Sequence, residues 1–300
     1  MRKMMAAVCM AACACGGAAS TTEPPVRLRL AKTAANELAP ALKRHPDIAI
    51  DVVAEGGSSI TSLVDLRNRK TDIGVPVADV AYLAYAGQLQ ETPQPFDQLR
   101  GMAVIDLNTV HLLLAPHVRA QSLRDLKGLH ISLGAPGSST ALITERMLQA
   151  HGIPPESVRT ERIPNSEMLK RIVRGDIDAA FVMYNLVSQP ATTAMKAGVR
   201  LLDVDGPVVE EMRTQYPYLK RTLIPAGTYP NQPNPVHTIG VDTIMVCRAD
   251  LDENLVYRLL DTYFATLPAD TPPNLDRAPA TPIPLHRGAA RYYRQRELSR

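Results

Sequence analysis

Short apolar segments alternate with helix-like patterns along the chain from Val26 onward. Each apolar segment has the length of one buried strand, and the stretches between them carry apolar residues at helical spacing. This alternation is typical of an α/β protein with largely parallel sheets. The predicted strands cover residues 26–30, 48–53, 72–75, 102–114, 129–133, 177–183 and 239–248.

Three of the intervening helices have clear start and stop signals. Polar capping residues precede their apolar faces, and a glycine follows two of them, as helix caps require. The first begins at Ser138 or Ser139 and ends at Gly152, the second begins near Asn165 or Ser166 and ends at Gly175, and the third runs from Glu253 to Leu267.

A weak internal repeat indicates two lobes built on one plan. The residues Leu63, Leu66 and Asp72 align with Leu169, Ile172 and Asp178. Each copy is a helix that ends in a polar corner and leads into a strand. We predict that residues 26–114 plus 238–300 form lobe 1 and residues 115–237 form lobe 2. The chain then passes between the two lobes twice. Two such crossings form a hinge, and the space between the lobes is a cleft for a small ligand.

The charge balance argues against nucleic acid as a partner. Lys and Arg number 33 against 30 Asp and Glu, so the formal charge is +3, and Arg2 and Lys3 belong to the N-terminal leader. The chain has no long basic run, so neither nucleic acid nor a broad anionic membrane surface is expected as its main partner.

Motifs for catalysis or metal binding are weak. The chain has neither a phosphate-binding loop with its Lys nor a Gly-x-Gly-x-x-Gly motif, and its seven His lack metal-site spacing. The sequence around Ser138 also lacks a Gly-x-Ser-x-Gly elbow. We therefore predict a protein that is not an enzyme and needs no metal or cofactor. A catalytic triad assembled from distant residues stays open as an alternative.

The N-terminal residues are predicted to be an export signal followed by a tether. Residues 1–14 combine a charged start with an apolar run too short to span a membrane. Residues 15–25 are polar and flexible in composition. The run ACACGG at 12–17 is a loose lipoprotein box, so Cys15 or Cys13 is the predicted lipid anchor. Plain cleavage near Ala14 or Ala19 is the alternative. In the body of the chain, Cys247 fits a buried small hydrophobe.

Two glycine-rich turns each join a predicted strand directly to a helix. One is 134–140 (GAPGSST), and the other is 55–59 (EGGSS). Such a turn leaves backbone N–H groups unpaired at the positive end of the helix dipole. The two turns are therefore candidate anion sites that face each other across the cleft. In the alternative, each is an ordinary turn, with Ser138 acting only as an N-cap.

From Ile50 to Tyr293 the sequence resembles the TAXI family of solute-binding receptors of tripartite ATP-independent periplasmic (TRAP) transporters. The motifs that carry the resemblance are Gly57-Ser58, 96–100 (FDQLR), 122–128 (SLRDLKG), 134–140 (GAPGSST), 175–181 (GDIDAAF), 224–230 (IPAGTYP) and 284–293 (PLHRGAARYY). The resemblance implies a two-lobed periplasmic-binding-protein fold, similar to type II. It also implies closure on an organic anion, such as a glutamate-like amino acid or a dicarboxylate, for delivery to a permease.

The resemblance also implies which residues contact the ligand, although one loop departs from the family. The family's Gly-Gly-x-Tyr-Tyr loop is replaced by 31–36 (AKTAAN), and an expected Asn is missing near Thr61. Lys32 could supply a cation there, or the loop could simply begin a helix packed by Leu38 and Leu42. The predicted ligand-binding residues are Gly57, Ser58, Ser138, Ser139, Thr140, Thr228, Tyr229 and Lys32.

The leading prediction is therefore an extracytoplasmic, membrane-anchored receptor that captures a small carboxylate and delivers it to a TRAP-type permease. The altered first loop keeps a second interpretation open, in which the protein presents its ligand to a membrane sensor. A hydrolase or lyase on the same fold is the third.

Export is expected to require residues 1–14, and the mature protein should partition into detergent because an acyl chain on Cys15 or Cys13 buries its methylenes in the bilayer. Mass spectrometry of the purified N-terminus measures this modification. An unmodified N-terminus beyond Ala19 would contradict lipidation while leaving export intact.

Overall fold

The computed structural model describes residues 26–54, 57–267 and 276–298. The predicted export signal at 1–14, the tether at 15–25 and both candidate lipidation cysteines lie outside the described residues. So do Glu55 and Gly56 of the first glycine-rich turn.

The described chain alternates strands and helices, as the sequence predicts. Its strands are β1 (Val26–Ala31), β2 (Ile48–Ala54), β3 (Ile73–Gly74), β4 (Leu99–Leu114), β5 (His130–Ser132), β6 (Arg159–Glu161), β7 (Ala179–Tyr184), β8 (Arg200–Leu202), β9 (Leu219–Ile224) and β10 (Val236–Arg248). Its α-helices are α1 (Lys32–Leu42), α2 (Ser59–Arg67), α3 (Ala78–Ala86), α4 (Ser139–Ala150), α5 (Asn165–Arg174), α6 (Gln189–Lys196), α7 (Pro207–Gln215), α8 (Glu253–Thr266) and α9 (Arg287–Leu298). Short 3₁₀ helices cover Leu123–Leu126 and Pro155–Ser157.

The strands form one mixed sheet, which corrects the prediction of largely parallel sheets. The order is β2-β1-β3-β10-β4-β7-β5-β6, with β8 on β4 and β9 on β10. The first three and the last three strands are parallel among themselves. The strands β4 and β10 are antiparallel to every neighbour they have in the described sheet. The central pair therefore separates two parallel groups.

The two parallel groups point toward each other along β4. On one side, Gly74 at the end of β3 pairs with Val246, which pairs with Gly101. On the other side, Tyr184 at the end of β7 pairs with Thr109. Because β4 and β7 are antiparallel, the carboxyl ends of both groups face the same stretch of β4, between Gly101 and Thr109.

The long strands β4 and β10 are the two segments that pass from one parallel group to the other. The first part of β4 pairs with β10, and its last part, from Thr109 to Leu114, pairs with β7. Two crossings agree with the hinge expected from the sequence. The lobe boundaries at 26–114 plus 238–300 and 115–237 stay a prediction.

The internal repeat has a structural counterpart in the corners before β3 and β7. The carboxylate of Asp72 accepts the Arg29 backbone N–H at 2.8 Å, and the Asp72 N–H donates to the Arg29 carbonyl. In the same way, Asp178 accepts from the His130 N–H at 2.8 Å and donates to the His130 carbonyl. Each aspartate thus joins the start of its strand to the neighbouring parallel strand.

The described buried apolar residues form three clusters. Helices α1, α8 and α9 pack on one side of β1 and β10 through residues such as Leu38, Leu260 and Tyr292. Cys247 is fully buried in this cluster, and burial raises the pKa of its thiol, so it is an inert small hydrophobe as predicted.

Asp72 also anchors a buried ion-pair network. Arg29 and Arg248 contact its carboxylate at 2.7 and 3.2 Å. Burial alone would raise the pKa of Asp72, but the hydrogen bonds from Arg29 and Arg248 outweigh burial and lower it below the ordinary value of 3.8. The folded state therefore favours the ionised carboxylate.

Asp72→Asn is expected to lower the free energy of unfolding by about 2 kcal/mol, because it removes one of the two carboxylates that pair with buried Arg248 and leaves only Asp250, at 3.1 Å. Urea denaturation measures the loss. The matched control is Asp51→Asn in the exposed pair with Arg27, where the side chains are 41% and 67% accessible. This change should cost less than about 0.5 kcal/mol.

The same pair of variants gives a pH test. Since the folded pKa of Asp72 is lowered, its stabilisation is present above about pH 4 and is lost as the pH falls through the folded pKa. The difference between wild type and Asp72→Asn should therefore shrink in acid. A difference that stays constant down to pH 2 would contradict the network.

Candidate ligand-binding site

The candidate site lies where the carboxyl ends of the two parallel groups face each other. Helices α1, α2 and α3 follow β1, β2 and β3 on one side, and α4 follows β5 on the other. The carboxyl ends of parallel strands are where open α/β sheets bind ligands. Between the groups, the floor is formed by β4 and β10, where Asn108 Nδ2 donates to Thr243 Oγ1 at 2.5 Å and Asn185 donates to Asp106.

The structure brings the two glycine-rich turns into contact. A Cβ atom placed on Gly137 would lie 3.9 Å from Ser58 Oγ and 3.8 Å from Ile60 Cδ1. Gly137 has a φ of +65°, a conformation that favours glycine. The N-termini of α2 and α4 therefore meet, and Gly57, Ser58 and Ser138 lie in the same part of the molecule.

Both turn serines act as helix N-caps. Ser58 Oγ accepts the Thr61 N–H at 3.2 Å. Ser138 Oγ accepts the Ala141 N–H at 3.2 Å and donates to the Ala135 carbonyl at 2.7 Å. The hydroxyls are thus used within their own turns. What each helix offers a ligand is the set of N–H groups in its first turn, together with the positive end of its dipole.

Ser139 turns inward, toward a carboxyl group that the sequence did not indicate. Its hydroxyl donates to Asp79 Oδ2 at 2.7 Å and lies 3.7 Å from Met183 Sδ. Asp79 stands in the first turn of α3 and is completely buried. Burial raises the pKa of Asp79, and the hydrogen bond from Ser139 only partly offsets this effect. The sequence feature that could have indicated this buried carboxyl group is the single Asp within the apolar run 77–86 (VADVAYLAYA).

Thr140 and Thr228 have local roles. A Cβ on Gly134 would lie 2.9 Å from Thr140 Cβ, so the Thr140 side chain covers the glycine turn. Thr228 Oγ1 donates to the Pro225 carbonyl at 2.7 Å. Neither contact involves the other turn, and ligand binding by these two residues stays a prediction.

Tyr229 is part of a buried hydrogen-bond chain. Its hydroxyl accepts the Ser188 N–H at 3.2 Å and lies 2.9 Å from His111 Nε2, while His111 Nδ1 lies 2.9 Å from the Thr109 carbonyl. Burial lowers the pKa of His111 to about 4, so the imidazole is neutral. Nδ1–H then donates to Thr109 and Nε2 accepts from Tyr229. The tyrosine hydroxyl is committed to this chain, and its contact with a ligand stays a prediction.

Lys32 is the exposed first residue of α1, directly after β1. Leu38 and Leu42 on the same helix are buried, as the packing alternative requires. The structure thus contains that helix and also leaves the Lys32 side chain at the surface. Its pairing with a ligand stays a prediction.

Helix α3 makes a second contact across the site, in which Tyr82 packs on Tyr218 and Tyr218 in turn contacts Tyr216 and Arg146. We call these four residues the tyrosine contact. The Tyr82 and Tyr218 rings lie 5.6 Å apart. Arg146 lies over the Tyr216 ring at 4.8 Å and donates to the Tyr218 hydroxyl. Aromatic and cation–π contacts of this kind hold α3 of one group against α4 of the other.

The described residues contain no group of three or more His, Cys, Asp or Glu side chains that could hold a metal ion. None of the helices in the described ranges is long and apolar enough to cross a membrane.

Comparison with known proteins identifies relatives. A family model described as the NMT1-like family matches residues 17–296. The periplasmic aliphatic sulphonate binding protein SsuA from Escherichia coli aligns with a TM-score of 0.51 and 16% identity, over 82% of this chain and 69% of that chain.

Two further structures have the same fold. The alkanesulfonate-binding protein SsuA from Xanthomonas axonopodis pv. citri, bound to MOPS, aligns with a TM-score of 0.51 and 15% identity, over 81% of this chain and 74% of that chain. The periplasmic binding protein BugD aligns with a TM-score of 0.50 and 11% identity, over 81% of this chain and 82% of that chain. The predicted periplasmic-binding-protein fold is confirmed.

Tyr82→Ala is expected to increase the radius of gyration of the ligand-free protein, if the two groups move as lobes. Losing one aromatic pair costs about 0.5 to 1.5 kcal/mol, which raises the open population roughly 2- to 12-fold. Small-angle scattering measures the change.

The matched control for this prediction is Tyr257→Ala. Tyr257 makes a similar contact with Tyr292 at 5.7 Å and Arg291 at 4.7 Å, but within one side of the molecule. This variant should lose stability without expanding. An unchanged radius for Tyr82→Ala would show that the tyrosine contact does not hold the cleft closed.

Proposed function

The chain belongs to the NMT1-like family, a family of periplasmic solute-binding proteins, and from that premise we propose that it captures a small organic anion between two lobes and delivers it to a membrane permease. Binding requires no bond to be made or broken, so the protein acts as a receptor rather than an enzyme.

The observation that carries this proposal is the contact between the N-termini of α2 and α4. Gly137 and Ser58 meet at the level where the carboxyl ends of both parallel groups converge. Two helix N-termini that share one space concentrate unpaired N–H groups and positive dipole ends. An anion is the ligand that this arrangement stabilises best, and its charge is shared between the two groups of strands.

The ligand class follows from the same geometry. The two SsuA proteins are named as sulphonate binders, and a sulfonate, like a carboxylate, presents several oxygens to N–H donors. We propose a carboxylate, either a glutamate-like amino acid or a dicarboxylate, with sulfonates as the class to compare. Lys32 would add a cation from the rebuilt first loop.

The proposed partner is a TRAP-type permease, and the proposed location is outside the cytoplasm on a lipid anchor at Cys15 or Cys13. Presentation of the ligand to a membrane sensor is the second candidate. It is favoured by the loop 31–36, which lacks the glycines and tyrosines of the TAXI family.

Thermal denaturation with a panel of carboxylates and sulfonates tests the proposal. A ligand that binds only the native state stabilises it by about 2.7 kcal/mol at a hundredfold excess over its dissociation constant. The amide of each acid, which has no charge, is the control. Stabilisation by the amides equal to that by the acids would contradict an anion site.

Calorimetric titration of the best anion against two variants then locates the charge. Lys32→Met should weaken binding by about 2 to 5 kcal/mol if Lys32 pairs with the ligand in a desolvated site. Ser138→Ala removes the N-cap that holds the first turn of α4, whose N–H groups face the ligand, and should cost about 0.5 to 1.5 kcal/mol. Normal binding by Lys32→Met together with a larger loss in Ser138→Ala would assign the anion to the α4 N-terminus alone.

A further inference from the structure

Asp79 carries a buried carboxylate oxygen, Oδ1, that no side chain in the described part of the molecule contacts by a hydrogen bond. Its side chain is 0% exposed, and Oδ2 accepts the hydroxyl proton of Ser139 at 2.7 Å. Within the described residues, Oδ1 has no hydrogen-bond partner. The backbone N–H groups of Val80 and Asp79 also act on the carboxylate and lower its pKa, but they do not outweigh burial, so Oδ1 can still accept from a further donor.

The position of Asp79 places this oxygen at the candidate site. Ser139 is the first residue of α4, a helix of 12 residues, and the same hydroxyl lies 3.7 Å from Met183 at the end of β7. Arg146 is the cation that acts on Asp79, but its guanidinium is engaged by Tyr216 and Tyr218. The Asp79 carboxyl group therefore lies beside the N-terminus of α4. The helix terminus alone favours a negative group of the ligand, whereas the carboxyl group favours a positive one.

A second carboxylate extends the acidic character of the site. Asp106, on the floor between the two parallel groups, accepts hydrogen bonds from Asn185 and from the Leu107 N–H. Burial raises the pKa of Asp106, and the negative charges of Glu37 and Asp242 add to the effect, while Arg277, which pairs with Asp242, opposes it in part. A dicarboxylate placed here would meet like charges, whereas a ligand with its own positive nitrogen would not.

We propose that Asp79 is a ligand-binding residue whose Oδ1 accepts a hydrogen bond from a protonated nitrogen of the ligand. The ligand is then a small zwitterion, with its anion at the N-termini of α2 and α4 and its N–H donor at Asp79. This inference rests on the proposed receptor function, and it separates amino acids and amino sulfonates from simple dicarboxylates and sulfonates.

Calorimetry with two matched pairs of compounds tests the inference: aspartate against succinate, and taurine against ethanesulfonate. In the wild-type protein, the amino compound of at least one pair should bind about tenfold more tightly or better, since a hydrogen bond to a charged group is worth that factor. The comparison needs no variant, so it does not depend on how a substitution folds.

Asp79→Asn is the variant that assigns the effect. The amide keeps the size of the side chain and an acceptor for Ser139, but it turns an N–H donor toward the ligand nitrogen. Discrimination within the pair should fall to less than about twofold. Ser139→Ala is the control, because it leaves the Asp79 carboxyl in place and should weaken both members of the pair equally.

Three results would overturn the assignment. They are equal binding within both pairs by the wild-type protein, unchanged discrimination in Asp79→Asn, and failure of all four compounds to bind while other anions of the panel do. In each case the receptor function stands. If no anion of the panel binds at all, the proposed function fails as well.

Discussion

The antiparallel pairing of β4 with β10 is the constraint on which the rest of the molecule depends. The ladder joins residues 99–109 to residues 240–248, and each strand continues beyond it to a different neighbour. Gly240 permits the close approach, because a Cβ there would lie 2.8 Å from Leu107 Cδ1 and 3.1 Å from the Asn108 carbonyl. This ladder turns two parallel groups toward each other, and the site exists because their carboxyl ends converge.

The elements predicted well from the sequence are those determined by nearby residues. Helix α4 begins after its Ser138 cap because the hydroxyl and the glycine turn act within a few positions, and α5 ends at Gly175 for the same reason. Strand direction is different, since it depends on which distant segment lies alongside. The central strands of the sheet are antiparallel for that reason, although an α/β pattern predicts parallel ones.

The sequence indicated which two turns form the candidate site, but it did not indicate which contacts their side chains make. Glycine and serine marked both turns, and the structure brings Gly137 next to Ser58. The direction of each side chain depends on tertiary packing, so Ser139 faces Asp79 and Tyr229 faces His111. Asp79 itself has no local signature beyond one acidic residue in an apolar helix. The turns offer a ligand their backbone N–H groups, and a pattern of side chains does not show where those groups point.

The corners at Asp72 and Asp178 repeat one hydrogen-bond pattern at two places in the sheet. In each corner, the Asp carboxylate accepts a backbone N–H from the neighbouring strand, and the Asp backbone N–H donates to the carbonyl of the same residue. The flanking sequences share little beyond two apolar positions. The two corners are therefore built alike, and they differ in the side chain that contacts the carboxylate from outside, Arg248 for Asp72 and His117 for Asp178. Either corner can therefore serve as a reference point for superposing the other.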